Sequence, residues 1–216
     1  MKKCITSFVV SSIAVGIVVA GATSANAHVG IDTRGTVATV GSSLTYEMRL
    51  GHGCTATDGS KYGTHVFEVV VPAGVGVPTP QALPGFTVAV TPSADKDPSG
   101  VPLSNKVTWT AKGEGDDIQI NAFAEFGLRS KPLVAGVAWF DTTQICRISK
   151  TVTAPATTKK VNGKKVITPG KTSTTYTELY LKWTVHDSAA PSVMSVDGTT
   201  ETGPAPSLVI AAAAAK

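Results

Sequence analysis

The residues with the most specific chemistry lie in Ala25-Asn26-Ala27-His28-Val29-Gly30. Alanines at 25 and 27 make the small-x-small pattern after which signal peptidase cuts, so cleavage there leaves His28 as the first residue. An N-terminal histidine offers its α-amino nitrogen and its imidazole Nδ1 to one ion and closes a six-membered chelate ring. The amine ordinarily titrates at roughly 7.7–8.0, so a metal displaces its proton near neutrality at little cost. Two nitrogens held this way suit Cu(II), which prefers tetragonal nitrogen and oxygen ligation, whereas Cu(I) prefers thiolate and thioether sulfur. Beyond residue 27 the only thioethers are Met48 and Met194. The expected ion is therefore Cu(II).

Other chemistry has little support. The histidines at 28, 52, 65 and 186 form no His-x-His or His-Glu-x-x-His pair, there is no Gly-x-Ser-x-Gly elbow, and no glycine-rich loop sits between a strand and a helix. A non-enzymatic protein is expected. His65 shares its phase with Phe67 and Val69 and reads as a core-edge residue. His52, two positions before Cys54, is either a second metal ligand or a hydrogen-bonded loop histidine.

Lys2 and Lys3 precede an apolar run, Ile5–Ala22, which together with the cleavage site reads as a secretory leader over residues 1–27 and places the protein outside the cytoplasm. An uncleaved anchor is the alternative. Cys4 lies before the apolar core and is not placed as a lipoprotein cysteine. Beyond the leader two cysteines remain, Cys54 and Cys146, and an isolated pair in an exported chain most simply forms a disulfide. Lys+Arg number 19 against 15 Asp+Glu, and two of the lysines are in the leader, so the remainder is only slightly basic. Its few aromatics are not interleaved with a basic stripe, so no nucleic-acid partner is expected.

Strands and turns must position these groups. Tyr46, Met48 and Leu50 alternate onto one face of 45–50, 65–71 is rich in β-branched residues, and Leu179, Leu181, Trp183 and Val185 share a face of 176–185. Shorter strands are expected at 87–90, 106–111 and 137–140. Residues 118–126 read as a strand whose phase shifts near Phe123, as at a bulge. Asn162-Gly163 between lysine- and valine-bearing arms signals a type I′ hairpin, and the lysines at 159, 160, 164, 165 and 171 around it read as a solvated, self-protecting edge, the alternative being a membrane or polyanion patch. The expectation is an all-β, antiparallel, immunoglobulin-like β-sandwich over 28–187, with a hairpin insertion at about 150–175. Residues 188–216, rich in Pro, Ser, Gly and Ala, read as a loop or linker followed by an alanine-rich end too short to span a bilayer.

Several fragments occur in one order: Ala27-His28-Val29, Gly51-His52-Gly53-Cys54, Val71-Pro72-Ala73-Gly74-Val75, Pro80-Gln81, Pro84-Gly85-Phe86, Val107-Thr108-Trp109, Gln144-Ile145-Cys146 and Pro204-Ala205-Pro206-Ser207-Leu208. The set resembles the YcnI-like family of secreted bacterial copper-binding domains, in its His-Gly-Cys subgroup. That resemblance implies a β-sandwich handling copper at the cell envelope, holding the ion by the first histidine's amine and ring, an acidic residue and a tryptophan. His28 matches the histidine. Trp183 matches the tryptophan across the hairpin insertion, where an indole N–H could only cap the ion because it donates and does not accept; it could equally be a core residue beside Leu181. Asp58 is the acidic candidate, though Asp58-Gly59 is also an ordinary turn pair. Phe86 stands where the family commonly has tryptophan. The implied role is a copper chaperone or buffer, with a membrane copper transporter or another envelope copper chaperone as partner. A two-histidine copper oxygenase using His28 and His52, and a metal-free adhesion domain, are the alternative readings.

Overall fold

The computed structural model describes residues 28–195, 197 and 199–214; the expected leader and the residue preceding His28 lie outside them. In the first half, the strands are β1 (Gly30–Asp32), β2 (Ala38–Thr39), β3 (Leu44–Leu50), β4 (Cys54–Thr55), β5 (Lys61–Tyr62), β6 (Thr64–Pro72), β7 (Thr79–Pro80), β8 (Phe86–Pro92) and β9 (Ser104–Ala111). The second half adds β10 (Ala124–Ser130), β11 (Gly136–Trp139), β12 (Asp141–Thr153), β13 (Thr157–Val161), β14 (Lys164–Thr168), β15 (Thr172–Val185), β16 (Val193–Met194), β17 (Thr200–Pro204) and β18 (Ser207–Ala211). Among the described residues the only helical turns are two three-residue 3₁₀ segments.

These strands form an immunoglobulin-like β-sandwich. One layer is a seven-stranded sheet ordered β16-β17-β15-β12-β6-β9-β8; the other holds β1-β3-β10-β7, and β11-β18-β2 forms a third, smaller sheet. Period-two alternation explains which faces meet. Tyr46, Met48 and Leu50 of β3 are buried while Thr45 and Arg49 are exposed, and Phe67, Val69 and Val71 turn inward from β6. Aromatic rings join the layers: Phe126 of β10 stacks on Phe67 with centroids 4.4 Å apart and meets Trp109 of β9 at 5.2 Å. Phe86 packs edge-on against Phe126 at 6.1 Å.

Cys54 and Cys146 are joined as a disulfide that ties β4 to β12 with Cα atoms 6.0 Å apart. The type I′ hairpin also forms: Asn162 and Gly163 take φ of 48° and 75° between β13 and β14.

Two expectations are corrected. Residues 118–123 are not a bulged strand. Ile118 makes one isolated bridge to Thr64, the Ala122 N–H closes a turn onto the Gln119 carbonyl, and the strand begins only at Ala124. The phase shift marks the strand's start. The reading of 188–206 as loop or linker also fails, because β17 runs parallel to β15 and Gly203, Pro204, Ala205 and Pro206 are buried. Beyond it, β18 pairs with both β11 and β2 and buries Leu208 and Ile210.

Candidate metal centre

His28 lies exposed just before β1. The antiparallel pairing of Gly30 with Arg49 and of Ala124 with Leu50 carries it toward the ends of β3 and β10, where it lines a depression of about 430 Å³ with Arg49, Leu50, Gly51 and the exposed Phe123. Its Nε2 is 3.4 Å from Ser192 Oγ, a contact across 164 positions. Ser192 in turn packs on Gly203 of β17: a Cβ there would stand 2.5 Å from Ser192 Oγ and 3.3 Å from Trp183 Cδ1. Trp183 pairs with Gly203 in the sheet and is buried in the core. A side chain at 203 would displace the Ser192 hydroxyl and crowd the indole. His28 and Trp183 thus share one corner of the sandwich, bridged by Ser192 and Gly203. Nε2 faces the serine, while Nδ1 is the ring nitrogen nearer the backbone amine, the one a chelate requires.

The His-Gly-Cys loop is pinned beside this corner. A Cβ on Gly53 would meet the Tyr62 carbonyl oxygen at 2.2 Å and Ile120 Cδ1 at 2.9 Å, and the Gly53 N–H donates to the Ile120 carbonyl at 3.2 Å. Buried Gln144 donates from Nε2 to the His52 carbonyl at 2.9 Å and to Thr64 Oγ1 at 2.6 Å. The His52 ring is hydrogen-bonded locally, with Nδ1 2.5 Å from the Gly53 carbonyl oxygen. Only its Nε2 would be left for an ion.

Asp58 sits in the exposed turn between β4 and β5, where its carboxylate accepts the Ser60 N–H at 2.9 Å and Gly59 takes a φ of 82°. Hydrogen bonds from the Ser60 backbone and side chain hold its pKa below the ordinary carboxylate value. Its contacts are with its own turn. The carboxylates nearer β1 and β3 are engaged by arginine: Arg49 bonds Glu125 at 2.9 Å and Asp32 at 3.0 Å, and Arg34 bonds Glu47 at 2.7 Å and Glu125 at 3.0 Å. Among the described residues no three His, Cys, Asp or Glu side chains converge as a cation cluster. The side chains expected from sequence, His28, Asp58 and the additional candidate His52, belong to no such cluster. Met48 is wholly buried and the cysteines are bonded to each other, so neither thiolate nor the Met48 thioether faces this corner.

The other histidines have partners elsewhere. His65, half-buried at the core edge, approaches Asp117 at 3.3 Å, and Asp117 also takes a 2.8 Å bond from Arg147. His186 stacks on Trp139 at 5.5 Å and lies 2.8 Å from Asp141. Ser192, Phe123 and the arginine-carboxylate net went unread in the sequence. Ser192 carries no local signal, since its histidine partner comes from the other end of the fold.

Residues 28–172 match a family described as "Domain of unknown function (DUF1775)". The chain belongs to this family. The YcnI-like resemblance and the DUF1775 match are the same grouping. The DUF1775 span includes His28, His52, Asp58 and both cysteines; Trp183 and Ser192 follow it. An uncharacterized protein from Nocardia farcinica, whose crystal structure reveals an immunoglobulin-like fold, is 20% identical over 86% of this chain and 99% of that chain, with a TM-score of 0.46. No curated protein matches this DUF1775 chain. Its disulfide fits an oxidising compartment, and no helix among the described residues is long and apolar enough to cross a membrane.

Proposed function

We propose that this DUF1775 domain is an exported, non-enzymatic copper carrier that holds one Cu(II) at His28 and passes it to a membrane copper transporter or another envelope copper chaperone. The observation that carries the reading is the corner itself: an exposed histidine at the start of β1, its Nε2 beside Ser192, and the edge of Trp183 one glycine away. The donors fit Cu(II). Amine and imidazole nitrogens with a carboxylate oxygen suit the cupric ion, and the sulfur beyond residue 27 is in a disulfide, in the core or in Met194. Asp58, ionised at neutrality, is the acidic candidate within the matched family span. Trp183 would shield the ion rather than ligate it. Ser192 accepting from the imidazole Nε2–H would fix the ring with Nδ1 toward the amine, the orienting role that partners of metal-bound histidines commonly play.

The test is Cu(II) titration of the exported, processed protein followed by EPR and tryptophan fluorescence. One equivalent with nitrogen hyperfine structure and quenched emission is expected. A variant with one alanine inserted before His28 removes the amine from chelation distance and should lose tight binding. Retention of tight Cu(II) by that variant would sink the chelate. In Trp183→Phe the ion should still bind, with most of the quenching gone.

A further inference from the structure

We infer that the β13–β14 arm is a docking element for an anionic phospholipid surface. From Arg147 to Thr177 the chain carries Lys150, Lys159, Lys160, Lys164, Lys165 and Lys171, with no aspartate or glutamate. The fold gathers this charge onto one projection. β6 pairs with β12 only as far as Cys146, with Arg147 still bonded to the Gly63 carbonyl and Asp117, and β17 joins β15 only from Tyr180, so 150–153 and 172–175 continue as a bare two-stranded ribbon. Four residues of bare strand reach roughly 13 Å past the sandwich. At its end the Ala154 N–H bonds the Lys171 carbonyl at 3.0 Å, Gly170 packs against the Ala154 backbone, and Pro155 and Pro169 flank the crossing into the hairpin. β13 and β14 then pair only with each other.

The tip is not simply polar. Lys160 stands directly opposite Lys165, a like-charge pair that an anion between the two ammonium groups would relieve. On the other face Lys159 opposes Val166 and Val161 opposes Lys164. Val161, Val166 and Ile167 are 53%, 45% and 59% exposed. Edge protection alone accounts for the lysines but not for three exposed β-branched apolar side chains among them. Lysines bracketing short apolar side chains suit a headgroup layer, with ammonium groups on the phosphates and methyl groups just below them. A soluble polyanion would use the charge and leave the apolar side chains in water.

The experiment is co-sedimentation of the exported protein with vesicles of phosphatidylglycerol and phosphatidylcholine, against phosphatidylcholine alone, at low and high salt. Binding should require phosphatidylglycerol and weaken with salt. Each lysine near an anionic surface contributes about a fivefold factor, so Lys160→Gln with Lys165→Gln should lower affinity roughly 25-fold. These positions are exposed and outside the core, and a circular-dichroism melt confirms that the variant folds. A Val161→Trp variant should show a blue-shifted emission component on anionic vesicles. Equal binding to both vesicle types, no binding to either, or unchanged affinity in the lysine variant would each overturn the proposal. So would full competition by poly(glycerol phosphate) without any emission shift, which would assign the arm to a soluble polymer.

Discussion

Gly53 is a spacer before it is anything chemical. Its missing Cβ lets the loop between His52 and Cys54 lie against the Tyr62 carbonyl, and that contact sets where the histidine and the disulfide begin. Gly53→Ala would drive a methyl into backbone that has no room to yield. It should destabilise the fold by about 1–3 kcal/mol, read from the denaturant midpoint; an unchanged midpoint would mean the loop is looser than its contacts imply. The same logic explains what the sequence revealed at this scale and what it hid. Tyr46, Met48 and Leu50 alternate because one face of β3 is buried, so their roles were legible. Trp183 reads from the sequence as either a metal cap or, by its phase with Leu179 and Leu181, a core residue; the structure buries it. Gly203 and Ser192 were not legible: their roles arise from a parallel strand pairing and a contact 164 positions long, and no local spacing encodes either.

At the scale of elements, composition misled where small residues do packing. Gly203-Pro204-Ala205-Pro206 reads as a linker, yet these four are buried because β17 must pass close to Trp183 and Val185. Ile118, Ile120 and Phe123 looked like strand residues and instead line turns beside the His-Gly-Cys loop and the His28 depression. The cysteine pair needed only counting, and the type I′ hairpin only its Asn-Gly. The disulfide joins residues 92 apart and pins the short β4 to the long β12. Replacing both cysteines with alanine should cost roughly 4–5 kcal/mol by the chain-entropy relation for a loop of that length, measured by denaturant unfolding without reductant. A loss under about 1 kcal/mol would show that the sandwich alone holds the two strands in place.

Across the whole molecule, stability at high pH should carry the signature of one residue. Tyr46 is buried between the layers, and burial pushes its pKa up to about 12; the nearby Ser130 hydroxyl, which closes no full hydrogen bond with it, offsets this only slightly. The unfolded phenol titrates near 10. Its contribution is therefore complete below about pH 10 and is lost as pH rises toward 12, because only the unfolded chain releases the proton in that window. The difference in stability between wild type and Tyr46→Phe should shift by about 2–3 kcal/mol over that range, in favour of the variant. Parallel pH curves would place the phenol in contact with water.

The parallel pairing of β18 with β2 joins Ala38 to Ile210, 172 positions apart, and β1 lies against β18 as well. A growing or threading chain cannot complete this sandwich until residues 207–211 have cleared the channel that delivers them. Such late closure makes folding a slow event dominated by long-range pairing. The corner that joins His28 to Ser192 then exists only in finished molecules. A partly delivered chain would have no assembled place to take up an ion.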